Sequence, residues 1–240
     1  AEMGRMLALQ NRKGVTVPPN RLESPHLGVE YADYLTTCGN EFTTNTYAYS
    51  GKPIFRLPMV VQKMWPWPEA KDFEASRHRF LWFGSRGMVH KGLDLVLEAF
   101  VQMPKYQLTI VGPVLNEPEF VNVYRKELFH TPNITFVGWL DKFSDEFHVL
   151  LGQSVAHVFP SCSEAGAAAV VETMAAGVIP MVTYEASIDV ENFGVLFEDA
   201  SIETIMRQVR EGASMSGAEL CHRAKKAWET AHRNNTPEKF

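Results

Sequence analysis

The chain has 240 residues, 45% of them hydrophobic, which is enough for one domain with a sizeable core or for one domain joined to part of another. Its net charge of −5 gives no basic field for nucleic acid, and its longest apolar runs are far shorter than the roughly 18 residues that a membrane span needs. The three cysteines are widely spaced and the eight histidines show no metal-ligand spacing, so we expect a cytoplasmic protein with reduced thiols and without a signal peptide or metal site.

The first 75 residues lack a full set of alternating strands and helices. Residues 33–38 are predicted to form a strand, followed by a turn at Gly39 and Asn40. Residues 51–70 contain four prolines and two tryptophans, which predicts a stiff, partly buried connector. We therefore expect residues 1–75 to be the C-terminal remnant of a preceding domain together with a linker.

From residue 80 onward, short apolar runs alternate regularly with amphipathic segments. The predicted strands are residues 80–84, 106–112, 134–138, 155–159 and 179–184. The predicted helices are residues 92–103, 120–129, 143–152, 167–176, 201–211 and 218–232. This alternation is typical of right-handed βαβ units. Residues 76–240 are therefore predicted to be an α/β domain with a Rossmann-like parallel sheet and flanking helices.

The loop after the first of these strands carries two cations between glycines. It runs from Gly84 to Gly92 and contains Arg86 and Lys91. Ligands of open parallel sheets bind outside the carboxyl ends of the strands, and both cations suit phosphate oxygens. The alternative is a solvated loop with ordinary surface charges. The glycine spacing matches neither a P-loop nor a dinucleotide fingerprint.

The most informative stretch of the chain is residues 160–177, which follow the predicted strand 155–159. A polar turn there holds Glu164, and a segment of small residues carries a second acid, Glu172. A strand, a tight turn and a helix of small residues present backbone N–H groups to anionic ligands. The alternative for Glu164 is a capping box with Ser161, and the alternative for Glu172 is a solvent-facing helical acid.

Two further features bear on the chemistry. The chain contains no Asp-x-Asp pair, so we expect no fixed Mg²⁺ or Mn²⁺ site of that kind. Trp139 follows a predicted strand and is placed to flank a nucleotide base, whereas the alternative is packing in the core or at its rim.

Four segments in order resemble the donor-binding half of a GT-B glycosyltransferase, of the large retaining group 1 family with the Glu-x₇-Glu motif. They are residues 84–92 (a Gly-x-Arg…Lys-Gly loop), 108–112 (Leu-x-Ile-x-Gly), 134–138 (Ile-x-Phe-x-Gly) and 160–180, which holds the two motif acids. Each match is modest, but their order and spacing are specific. The resemblance covers about residues 76–240 and weakly residues 20–75.

The resemblance implies a catalytic role for three residues. Arg86 and Lys91 would neutralise the diphosphate of a nucleotide-sugar as it departs, without a metal, and Glu164 would contact hydroxyls of the donor sugar. The donor, UDP- or GDP-linked, is a substrate, so no cofactor is expected. The implied reaction is hexosyl transfer with retention to a saccharide or lipid-linked acceptor, in carbohydrate biosynthesis.

Other positions would bind the nucleotide part of the donor. Glu172 would bind ribose hydroxyls, because a carboxylate accepts well from two adjacent O–H groups. Gly166 and Ala167 would offer backbone N–H groups to the sugar or phosphate. Three glycines and Trp139 would complete the pocket: Gly84 in the cationic loop, Gly112 beside the nucleotide, and Gly138 with Trp139 at the base.

The chain departs from the family pattern in small ways and in one large way. Ala165 stands where the family often has glycine, and Thr173 follows the second motif acid in place of alanine. The larger departure is that most of an acceptor domain, with its active-site histidine, is absent. We therefore expect this chain to bind donor but to turn over poorly, and any peripheral membrane contact to come from the absent part.

Two other functions use related folds. The first is a non-catalytic nucleotide-sugar-binding module, which is possible because fold does not fix function. Such a module would show no sugar transfer even with the upstream domain restored. A sugar-nucleotide epimerase would release free nucleotide without an acceptor. A Rossmann oxidoreductase is disfavoured because the glycine fingerprint is missing.

Overall fold

The computed structural model describes residues 1–17 and 28–240. The strands are β1 (Leu35–Cys38), β2 (Ile54–Leu57), β3 (Arg79–Phe83), β4 (Gln107–Val111), β5 (Ile134–Gly138), β6 (Ala156–Phe159), β7 (Ile179–Val182) and β8 (Val195–Leu196). The helices are α1 (Glu2–Lys13), α2 (Gly28–Tyr31), α3 (Glu41–Thr46), α4 (Phe73–Ser76), α5 (Leu93–Val101), α6 (Pro118–Val123), α7 (Arg125–His130), α8 (Asp145–Gln153), α9 (Ala168–Met174), α10 (Ile202–Ser214) and α11 (Gly217–Asn234).

A six-stranded parallel sheet organises the second part of the chain. Its strand order is β5-β4-β3-β6-β7-β8. The chain builds outward from β3 to β5 and then returns to place β6 on the other side of β3. The connections after β3 and β6 therefore leave in opposite directions and open a crevice at the carboxyl ends of these two strands, as at the switch point of doubly wound sheets. This confirms the predicted α/β fold.

The core lies on both faces of this sheet. Phe80 and Trp82 of β3 point to one face, where they share a cluster with Phe100 of α5, and Leu81 points to the other, where it packs with Phe147 of α8. Side chains alternate in this way because successive residues of a strand face opposite sides. Full burial of each such side chain contributes on the order of 1.5–3 kcal/mol. No helix of the described residues is long and apolar enough to span a membrane.

A two-stranded parallel sheet precedes the large one. Strand β2 lies in the segment that was predicted to be only a connector, and it pairs with β1 from Leu35↔Ile54 to Cys38↔Leu57. The turn after β1 contacts the loop after β6 at Gly39 and Gly166. An ideal Cβ on Gly166 would lie 3.1 Å from the backbone nitrogen of Gly39. This contact is tight, and the φ of +101° at Gly166 is a further reason why glycine is favoured there.

Helix α1 was not predicted from the sequence. Its Met6 and Leu9 are buried in the cluster that contains α5. Its Arg12 pairs with the fully buried Asp94 of α5 at 2.7 Å. Burial raises the pKa of Asp94, and the positive charges of Arg5 and Arg12 oppose that shift. The N-terminal helix therefore packs against the large-sheet domain.

The single helix predicted over residues 120–129 is wrong, because two helices, α6 and α7, occupy this region. Tyr124 separates them with φ −107° and ψ 22°. Its ring is fully buried, and its hydroxyl donates to Glu98 Oε1 at 2.5 Å. The Tyr124 hydroxyl thus contacts α5 at the point where the helix is interrupted. The apolar periodicity of the sequence does not show this interruption.

His157 is a fully buried side chain that joins two parts of the crevice. Its Nε2 accepts the N–H of Phe83 at the end of β3, and its Nδ1 lies 3.1 Å from Thr173 Oγ1 in α9. Burial lowers the pKa of His157 to about 3. Between about pH 6.5 and pH 3 the unfolded chain therefore binds a proton that the native state does not.

Acid should consequently destabilise the fold through His157. We expect the free energy of unfolding to fall by up to about 1.4 kcal/mol per pH unit below pH 6.5 from this residue alone. Urea unfolding of the wild type and of His157→Gln at pH 7.5, 5.5 and 4.5 measures the difference. Parallel losses of stability in the two proteins would show that His157 does not cause the acid sensitivity.

Candidate functional site

Two adjoining cavities lie at the carboxyl ends of the strands, the first at the crevice between β3 and β6 and the second beside it at the ends of β3, β4 and β5. The first, of about 520 Å³, is lined by eight of the residues singled out in the sequence: Gly84, Lys91, Gly112, Trp139, Glu164, Gly166, Ala167 and Glu172. The second, of about 640 Å³, is lined by Arg86 and Gly138 and again by Gly112 and Trp139. The structure thus brings every predicted site residue to the rim or wall of one continuous crevice.

The loop after β3 is held in place by buried polar contacts. The carboxylate of Glu117 accepts the N–H groups of Gly87 and Met88 at 2.6 and 3.1 Å, and the indole N–H of Trp82 donates to the Lys91 carbonyl. These bonds fix the backbone from which Lys91 projects. The Lys91 side chain is only 6% exposed, so it is not one of the surface charges of a solvated loop.

Glu164 faces this lysine across the crevice. Lys91 Nζ lies 2.5 Å from Glu164 Oε1, and the Ser161 hydroxyl donates to the same oxygen at 3.1 Å. His90 Nε2 donates to the Ser163 carbonyl and lies 3.9 Å from the Glu164 carboxylate. The capping-box alternative for Glu164 is wrong, because the N-cap of α9 is Ala167 and not Ser161.

Glu172 lies within α9 and also points into the first cavity. Its side chain is 14% exposed, so the alternative of a solvent-facing helical acid is wrong. The ammonium of Lys142, in the loop after β5, is hydrogen-bonded to its Oε1. The crevice therefore contains two lysine–glutamate pairs, one from each motif acid.

The second cavity has a different character. Arg86 is exposed and lines it together with Phe136 and Gly138. Trp139 is 69% exposed and borders both cavities, so it is not packed in the core, which was one part of its alternative placement. An exposed indole plane beside a glycine is a surface on which a flat ring can stack.

The turn before α9 supplies fewer backbone donors than the sequence indicated. Ala167 lines the first cavity, but its N–H donates to the Ala186 carbonyl at 3.1 Å. Gly166, with φ +101°, remains the predicted donor at this turn. The Thr43 hydroxyl of α3 donates to the Glu164 carbonyl at 3.1 Å, so this helix, which follows β1, also holds the turn in place.

Cys162 and His90 lie beside the first motif acid without forming a reactive dyad. The Cys162 sulfur lies 3.6 Å from His90 Nδ1. Burial raises the pKa of Cys162 to about 11, so its thiol is protonated at neutral pH and is a poor nucleophile. Over residues 1–17 and 28–240, no group of three or more His, Cys, Asp or Glu is placed to hold a metal ion.

Sequence reasoning missed several residues of the crevice. Ser85, Asp141 and Lys142 line the first cavity, and Glu117 fixes the cationic loop from outside it. Asp141 and Lys142 follow the carboxyl end of a predicted strand, and this position was the signal that could have found them. Glu117 also follows a predicted strand, but its position does not indicate that it holds the loop after β3.

The chain is similar to known proteins in sequence and in fold. The family described as glycosyl transferases group 1 matches residues 69–229. No curated protein matches the chain.

Three solved structures illustrate the similarity of fold. A mutant of S. aureus TarM in complex with fondaparinux, alpha-GlcNAc-glycerol and UDP has a TM-score of 0.69 at 14% identity, over 88% of this chain and 43% of that one. Anabaena HepE in complex with UDP and glucose has a TM-score of 0.66 at 12% identity, over 85% and 60%. Sucrose-phosphate synthase from Thermosynechococcus elongatus has a TM-score of 0.66 at 20% identity, over 88% and 56%. The chain therefore spans about half the length of these proteins.

Proposed function

Because the chain belongs to the group 1 glycosyl transferase family, we propose that its crevice binds the nucleotide-sugar donor of a hexosyl transfer. The acceptor is a saccharide or a lipid-linked saccharide, and the transfer is retaining and metal-independent. The observation that carries this proposal is the pair of motif acids, each held by a lysine, on the walls of one crevice at the switch point of the sheet. That is where open α/β sheets bind their ligands.

Arg86 and Lys91 supply the positive charge that a metal ion would supply in a metal-dependent transferase. Lys91, buried at the end of the loop after β3, lines the first cavity, and Arg86, exposed near the start of that loop, lines the adjoining second cavity. A departing nucleoside diphosphate gains negative charge, and fixed cations in a partly dry site stabilise it strongly. Lys91 exchanges its bond with Glu164 for phosphate oxygens when the donor enters.

The two acids then have separate tasks. Glu172 accepts hydrogen bonds from the ribose hydroxyls, and Glu164 contacts the hydroxyls of the transferred sugar. Trp139 and Gly138 border the base. UDP in the TarM and HepE complexes supports a uridine or related nucleotide as the ligand.

We also propose a division of the chain near residue 75, with residues 76–240 as the donor-binding domain. Residues 1–75 then represent the end of an acceptor-side domain and its linker, with helix α1 packed against the donor-binding domain. In this arrangement donor binding belongs to the described crevice, whereas efficient transfer depends on a second domain that faces it.

Replacing Glu172 tests the ribose contact directly. Calorimetric titration with UDP, GDP and ADP, in EDTA and again with Mg²⁺, should show binding of one nucleotide in both buffers. Glu172→Gln should weaken that binding about 10- to 100-fold, because a hydrogen bond to a charged group is worth roughly 1.5–3 kcal/mol. The exposed Glu119→Gln is the matched control and should bind like the wild type. Equal affinities of Glu172→Gln and the control would contradict the proposal.

A further inference from the structure

Lys142 projects from a turn that is fixed on both sides. Asp141 Oδ1 accepts the N–H of Phe143 at 3.0 Å, and the Ser144 hydroxyl caps α8 by accepting the Phe147 N–H. Lys63 Nζ donates to the Phe143 carbonyl at 2.8 Å from the opposite side of the turn. Because the backbone on both sides of Lys142 is held, its side chain extends in a defined direction.

That direction leads to Glu172. The ammonium of Lys142 contacts Glu172 Oε1 and lies 5.1 Å from the centroid of the Phe143 ring. The lysine side chain is 35% exposed and the glutamate 14%, so water screens this pair less than an ion pair on an open surface. Residues 142 and 172 belong to different βα connections, and the pair joins these connections across the first cavity.

The geometry defines what the lysine does to the carboxylate. An ionised carboxylate has two oxygens and about four acceptor sites, whereas an ammonium has donors only. Among the described residues, Lys142 is the hydrogen-bond partner of Oε1. It can therefore restrict the rotation of the carboxylate and leave the remaining acceptor sites to a ligand in the first cavity.

We propose that Lys142 is a positioning residue that orients the Glu172 carboxylate for the ribose hydroxyls of the donor nucleotide. The inference rests on the proposed function, since it assigns the supporting partner of one of its binding groups. An oriented acceptor forms a stronger hydrogen bond because less freedom is lost on binding. Lys142 thus contributes to the selection of ribonucleotides over nucleotides that lack these hydroxyls.

The test compares a ribonucleotide with its 2′,3′-dideoxy form. The ratio of the two dissociation constants is measured by calorimetry for UDP and 2′,3′-dideoxy-UDP, or for the GDP or ADP pair if that base binds more tightly. In the wild type we expect the ribonucleotide to bind roughly 30-fold more tightly. Lys142→Met should reduce this ratio about tenfold, and Lys142→Arg should largely restore it.

Controls separate positioning from a general loss of structure. The exposed Lys105→Met should keep the wild-type ratio. Circular dichroism and thermal unfolding check each variant, and Lys142→Gln replaces Lys142→Met if the latter does not fold. An unchanged ratio in folded Lys142 variants overturns the inference, and so does an increased ratio, which would mean that the lysine competes with ribose. Absence of any nucleotide binding by the wild type overturns the proposed function itself.

Discussion

Gly92→Ala is expected to lower the free energy of unfolding by at least about 3 kcal/mol. Gly92 precedes α5 with φ +74°, a backbone conformation that residues with a Cβ rarely adopt. A Cβ there would also lie 2.4 Å from the Pro160 carbonyl oxygen and 2.6 Å from Pro160 Cγ. The backbone must therefore move, and the loops after β3 and β6 separate from each other.

Urea unfolding measures this loss, and nucleotide titration measures its effect on the crevice. The matched control is Gly212→Ala in α10, where the nearest atom to an added Cβ is Met181 Cε at 3.9 Å. Alanine is favoured over glycine in a helix interior, so this variant should be as stable as the wild type or up to about 1 kcal/mol more stable. A Gly92 variant as stable as this control would show that the close contact with Pro160 is relaxed at little cost.

Lys91→Met is expected to weaken nucleoside diphosphate binding about 100-fold, because it removes a nearly buried cation from the proposed diphosphate site. The same change should lower stability by about 3–5 kcal/mol, since it leaves the carboxylate of Glu164, 9% exposed, without the lysine that lies 2.5 Å away. Affinity and stability thus both depend on one side chain.

A double variant separates these two effects. Lys91→Met with Glu164→Gln removes both charges and should recover much of the stability but none of the affinity for the diphosphate. The exposed Lys126→Met, measured in parallel, should change neither quantity. Nucleotide binding that returns together with stability would assign Lys91 a structural role and would contradict its place in the diphosphate site.

Much of the fold was predictable because the sequence pattern is strong after residue 80. Fully apolar runs such as residues 80–83 fit strands that are buried on both faces, and the amphipathic segments between them fit covering helices. The structure places β3 at Arg79–Phe83 and β5 at Ile134–Gly138, within one residue of the predicted bounds. The first 75 residues were less predictable, since β2 is a short strand among prolines.

The loops that form the candidate site were predictable, because a parallel sheet places the loops after its strands at one edge. Parallel strands carry their carboxyl ends to one edge, so the loop with Lys91 and the turn with Glu164 had to lie at the same edge. The pairing of β3 with β6 then brings them together. The exposed Arg86 and Trp139 fall on the second cavity by the same rule. The roles of Arg86 and Trp139 remain predictions.

The sequence alone determined the α/β class, the edge of the sheet at which the crevice lies and the identity of the two acids that line it. Those features follow from local periodicity and from loops at strand ends. The tertiary structure decided which groups partner those acids, as with Lys142 and Glu172, which are 30 positions apart, and where Tyr124 interrupts a helix. Such contacts depend on the packing of side chains from separate elements, and periodicity within one segment carries no information about them.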